Sequence, residues 1–214
     1  MRASSGLTAL LALATLGVSP AASAHRREDH LQAARIGVEP DRVLVMLDIT
    51  PGCEVAEEFL AALDRDRDGS SSAEEQRAYA SQVLSALALE IDGQPLRPRL
   101  LSWDFPEESA LHRGEGAIGL RLAATLPRLS AGSHRVHFEN AHLAGHSTYL
   151  ANALVPESTL VTVTAQRRDR DQSELTIEFA LRDDSPGTTR AWILASLAAA
   201  LLMVRLKRAV ATKA

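Results

Sequence analysis

Cysteine is almost missing from this chain of 214 residues: Cys53 is the only one. A single thiol excludes an intramolecular disulfide and a cysteine-rich zinc site. Cys53 precedes a predicted helix, where a thiolate would be stabilised. No histidine–carboxylate pairing around it points to a nucleophile, so a small half-buried residue is the simpler reading. Lysine is nearly missing too, with only Lys207 and Lys213 near the C-terminus and arginine everywhere else. The last 27 residues hold five basic residues and no acid. All 27 acids fall within residues 25–187 beside 17 basic residues, a net of −10. That acidic body argues against nucleic acid as a partner, which calls for basic patches. Also absent are G-x-S-x-G, a glycine-rich phosphate loop and H-E-x-x-H, so no enzyme signature is present.

Both ends of the chain carry targeting signals. Residues 1–24 read as a secretory signal peptide: Arg2 supplies the positive region, Leu7 to Val18 the apolar run, and Ala22-Ser23-Ala24 a small-residue cleavage site. The mature chain then begins at His25 and faces an extracytoplasmic compartment, most simply a periplasm. Residues 183–190 are a linker. Residues 191–206 are expected to form a transmembrane helix that anchors the protein in the inner membrane. Within it, Ala191–Val204 is 14 uncharged residues between Arg190 and Arg205. As a helix that run spans about 21 Å, short of a hydrocarbon core of about 30 Å, so the flanking arginines would have to snorkel. The basic tail 207–214 belongs in the cytoplasm by the positive-inside rule. Two alternatives stand beside the anchor: a docked amphipathic helix, and a sorting tail cut near Gly187.

Between these signals, alternation predicts strands. Leu31–Val38 and Arg42–Thr50 form a hairpin about Glu39-Pro40-Asp41. In its second arm Val43, Val45, Leu47 and Ile49 share one face. Ala88–Ile91 and Pro95–Trp103 flank the turn signal Asp92-Gly93, and Pro95 and Pro98 demote part of the second arm to an edge. Residues 104–114 read as a loop. Further strands are expected at Ala117–Leu126, Arg135–Glu139, Ser147–Leu154, Thr159–Arg168 and Glu174–Leu181. Nine short strands at regular spacing predict a mainly β fold for residues 25–182, an immunoglobulin-like β-sandwich with α structure inserted at 51–87.

The insertion carries the most specific pattern in the chain. Asp64, Asp66 and Asp68 alternate, Gly69 follows, and Glu75 closes a twelve-residue window. Alternate side chains of a tightly curled loop converge on one point, while Arg65 and Arg67 face outward. Val55, Phe59 and Leu63 precede the window at helical spacing, and Tyr79, Val83 and Leu87 follow it. A solvated turn followed by a capping box of Ser72 and Glu75 explains those two residues, but not three alternating aspartates and a glycine.

Residues 51–87 resemble a single EF-hand, through the spacing D-x-[DN]-x-[DN]-G-x5-E. The resemblance implies a bound calcium ion. Its ligands would be the carboxylates of Asp64, Asp66 and Asp68, the carbonyl of Ser70, a water held by Ser72, and both oxygens of Glu75. The eighth loop residue, usually aliphatic and paired with a partner hand, is Ser71 here, and no second loop follows. That implies weak affinity, about 10⁻⁴–10⁻³ M, and a structural ion rather than a sensor.

Histidine offers a second metal chemistry. His25 would present an amine and an imidazole together, and His142 and His146 lie four apart. His134 and His137 are an odd number apart and would face opposite sides of a strand. The general layout is also similar to periplasmic regions associated with bacterial nickel/cobalt-type permeases. The expected function is an exported, membrane-anchored calcium-binding protein of structural type. One alternative is a periplasmic accessory that handles a transition metal for a nickel/cobalt or copper transporter. The other is a calcium-dependent enzyme.

Overall fold

The computed structural model describes residues 29–183. The expected signal peptide, His25, the transmembrane helix 191–206 and the basic tail lie outside them. Among the described residues, no helix is long and apolar enough to cross a membrane.

The alternation in the first hairpin becomes a pair of long strands. β1 (His30–Val38) and β2 (Arg42–Thr50) pair antiparallel, Leu31 opposite Thr50 and Val38 opposite Val43. Val43, Val45, Leu47 and Ile49 are buried, while Leu44, Met46 and Asp48 are half-buried on the other face. Full burial of each such aliphatic side chain contributes about 1.5–3 kcal/mol. On the half-buried face Asp48 pairs with both Arg35 and Arg121.

After β2 the chain forms α1 (Ala56–Leu63) and α2 (Ala73–Ser85). It then enters β3 (Leu87–Ile91), whose turn at Asp92 and Gly93 has positive φ at both residues, 50° and 78°. Leu87, expected on the face of the second helix, is the first residue of β3.

The expected strand Pro95–Trp103 is two strands. β4 (Gln94–Pro95) pairs with β3, whereas β5 (Arg99–Asp104) pairs with β6 (Ile118–Thr125) in the other sheet. The chain changes sheets at Arg97 and Pro98, where proline has no N–H to give to a ladder. The expected loop 104–114 contains a short helix, α3 (Glu108–His112). The remaining strands are β7 (Gly132–Asn140), β8 (Ser147–Ala153), β9 (Val161–Arg168) and β10 (Glu174–Leu181).

The strands form two five-stranded sheets, ordered β5-β6-β2-β1-β8 and β4-β3-β7-β10-β9. Ile36, Leu47 and Leu120 of the first and Phe138, Ile177 and Phe179 of the second belong to one buried core. The fold is therefore mainly β and compatible with a β-sandwich. One pairing is parallel: β8 lies beside β1 with Ser147 opposite His30.

The registers bring the starts of β1, β3, β8 and β10 and the ends of β2 and β7 to one end of the molecule. A buried polar network ties the sheets together there. Asn140 donates to the Gln32 carboxamide oxygen at 2.9 Å, and Gln32 donates to the His142 carbonyl at 2.8 Å. Tyr149 donates to the same carbonyl at 2.7 Å. The helical hairpin covers this end, with Phe59 and Tyr79 edge to face at 5.3 Å.

Candidate metal centre

α1 ends at Asp64, whose φ and ψ of −74° and 88° leave the helical region while its N–H still donates to Leu60. Arg67 at φ 61° and Gly69 at φ 88° then curl the chain back. Glycine holds that conformation without the cost a Cβ adds. The curl aims the loop's own N–H groups at its carboxylates. Asp64 accepts from the backbone of Asp68 at 3.1 Å and of Gly69 at 2.9 Å. Asp66 accepts from Asp68 at 3.2 Å. Asp68 accepts from the Ser70 backbone at 2.9 Å and its hydroxyl at 2.8 Å. One carboxylate oxygen from each of Asp64, Asp66 and Asp68 lies within 4.8 Å of the others.

Glu75 does not aim at that point. It is buried at the start of α2, and its carboxylate is taken by backbone and hydroxyl donors. One oxygen accepts from the N–H of Arg65 at 2.6 Å and of Asp66 at 3.3 Å. The other accepts from the Ser72 N–H at 2.9 Å and hydroxyl at 2.8 Å. Ser72 returns the contact by accepting from the Glu75 N–H, completing a capping box. The structure thus brings three of the six expected ligand residues together and spends the other end of the window on capping.

The charges reflect this division. Hydrogen bonds from the Ser72 backbone and hydroxyl, then from Arg65 and Asp66, hold the Glu75 carboxyl down to about 2. Asp66 shifts the other way. A backbone hydrogen bond from Asp68 pulls it down, but desolvation and the charges of Asp68 and Glu75 outweigh that and raise it. Asp66 is therefore the group on which the crowding of carboxylates falls.

Two neighbours of the loop are not apparent from the motif. Ser71, at the position where a partner hand would pair, donates its N–H to Glu108 of α3 at 3.0 Å. Its carbonyl accepts from the Gln76 carboxamide at 3.0 Å. Both backbone groups are thus satisfied within this chain. The signal for Gln76 is its place one residue beyond Glu75. Glu108 is 37 residues away from Ser71, and nothing local marks it.

The histidines divide. His134 sits between Asp92 at 2.7 Å and the Ser130 carbonyl at 2.8 Å. His137 contacts Thr176 across the other face of β7. His112 ends α3. His142 and His146 instead line one cavity with His30, beneath the helical hairpin. No family model, curated protein or solved structure matches the chain.

Proposed function

We propose that this chain is an exported calcium-binding protein of structural and binding type, anchored in the inner membrane by residues 191–206. The body would be an immunoglobulin-like sandwich that carries the loop of a single EF-hand. The convergence of Asp64, Asp66 and Asp68 within 4.8 Å, between two packed helices, carries this reading. Oxygen ligands suit a hard cation. Calcium would take those carboxylates, the Ser70 carbonyl and a water on Ser72. Glu75 would turn from the backbone donors of Arg65, Asp66 and Ser72 to close the shell with both oxygens. The ion therefore competes with the capping box, which agrees with the weak affinity of about 10⁻⁴–10⁻³ M expected for an extracytoplasmic module. A second reading, an accessory that handles a transition metal for a membrane transporter, is favoured by the histidine-lined cavity under the hairpin.

Melting with and without calcium tests the first reading. At a dissociation constant of about 10⁻⁴ M, about 10 mM calcium should stabilise the native state by roughly 2.7 kcal/mol. Magnesium should shift the melting temperature less, because it demands a tighter octahedron. Glu75→Gln should remove most of the calcium shift, since an amide cannot supply a bidentate charged contact. An unchanged melting temperature at millimolar calcium would leave the capping box as the whole explanation of the loop.

A further inference from the structure

We propose that the cavity beneath the helical hairpin binds a divalent transition-metal ion, through the imidazoles of His30, His142 and His146 and the carboxylate of Glu58. Its donors are not the aspartates of the loop, although Glu75 borders both sites.

Four donors reach the cavity from three places in the fold. His30 opens β1, Glu58 lies on α1, and His142 and His146 belong to the turn between β7 and β8. That turn does by curling what a helix would do by winding. Leu143 at φ 53° and Gly145 at φ 84°, with the His146 N–H donating to the Leu143 carbonyl at 3.0 Å, bring residues four apart to one wall. The His30 N–H donates to the His146 carbonyl at 3.0 Å, which fixes the third histidine beside the pair.

The two inner imidazoles are the buried ones. His30 is 8% exposed and His142 4%. Burial lowers both, His142 to about 4, and repulsion between the histidines adds to the effect. His30 Nδ1 is buried and has no hydrogen-bond partner, a cost that native structures rarely leave unexplained. His142 Nε2 lies 3.1 Å from the Tyr79 hydroxyl. A contact of that kind orients an imidazole's ring plane, as outer-sphere partners do for metal-bound histidine.

Imidazole with one carboxylate suits zinc, copper(II) and nickel, whereas the all-oxygen loop suits calcium. The two sites would sort ions by chemistry although Arg65 and Glu75 line this cavity as well. The volume is about 340 Å³, many times the roughly 30 Å³ share of one water. An ion here keeps part of its hydration. The donors stand around the wall rather than already meeting, because among the described residues only the aspartate triad brings three donor atoms within 4.8 Å. Binding should therefore draw the turn 141–146 toward α1.

The test is a calorimetric titration of the full-length exported chain with nickel, zinc or copper(II), in excess calcium to occupy the loop. His146 and Glu58 are exposed, so His146→Ala and Glu58→Gln should fold as the parent does. One equivalent should bind in calcium, and His146→Ala should weaken binding at least tenfold. His25→Ala and His112→Ala should change it less than twofold. Bound copper(II) should show electron-spin couplings to more than one imidazole nitrogen. Displacement of the transition metal by calcium would place it in the aspartate loop and overturn the proposal. Binding that survives His146→Ala but is lost in His25→Ala would overturn it too, as would no binding at all.

Discussion

Glu75 is asked to do two things with one carboxylate. In the structure it closes a capping box and gathers the N–H groups of Arg65 and Asp66. In the proposed holo state it binds an ion. Its effect on acid stability follows from the first role. The native state holds Glu75 near 2, below an ordinary value of 4.5. Its contribution is complete above about pH 4.5 and is lost as pH falls toward 2. Glu75→Gln should therefore flatten the fall of stability across that window, as measured by chemical denaturation at a series of pH values without calcium. The fall should not vanish, because Asp92 and Asp169 are also held low. In both, desolvation pushes upward but is outweighed, by His134 and Arg135 for Asp92 and chiefly by the Glu174 and Asp171 N–H groups for Asp169. His142 acts in a higher window. Its native value is depressed from 6.5 to about 4, so its share is present above 6.5 and is lost as pH falls toward 4. The convergence of Asp64, Asp66 and Asp68 is legible in the sequence because it follows from spacing within one loop. The direction in which Glu75 points is not, because ion and backbone compete for the same two oxygens.

At the scale of elements, the loop depends on α3. Glu108 satisfies the Ser71 N–H, the group a second hand would pair. Glu108→Ala should expose that N–H to water and raise its hydrogen-exchange rate. It should also weaken calcium binding severalfold, by loosening the loop before the ion arrives. Rates and affinity equal to the parent's would show that α3 merely lies nearby. The sequence hides this support for a physical reason: a helix of five residues is too short for its apolar period to register. Strands with strict alternation behave oppositely. β2 and β10 lie where their patterns put them, because a period of two with one buried face admits one register. The break at Pro98 is half legible. Proline marks the edge, but only the two sheets together show that β5 leaves β4 for the opposite sheet.

At the scale of the molecule, the joints between sheets are non-local and thus invisible to local pattern. Gln32 and Asn140 are polar and no local pattern marks them, yet they are 1% and 3% exposed and bond to each other across the core. The parallel pairing of β1 with β8 joins residues more than a hundred positions apart. These joints give the molecule a polarity. β10 begins beside Glu139, at the end covered by the helical hairpin, and finishes at Leu181 opposite Gly132. From Glu174 to Leu181, a rise of about 3.4 Å per residue puts about 24 Å between the two ends.

Under the proposed membrane anchoring, that polarity would decide which way the molecule faces. With the anchor proposed at residues 191–206, a tether running on from Leu181 would hold the end that bears Ser130 and the Asp92 turn. The aspartate loop and the histidine cavity would then stand at the far tip, like a hook at the end of a stalk. A quencher fixed to lipid headgroups should dim a fluorophore at Ser130 strongly and one at Ala61 on α1 little; equal dimming would mean the molecule lies flat. Upright, the tip would face molecules diffusing in from the aqueous side. A transporter of the kind proposed in the second reading would receive an ion from that tip only if the stalk bends.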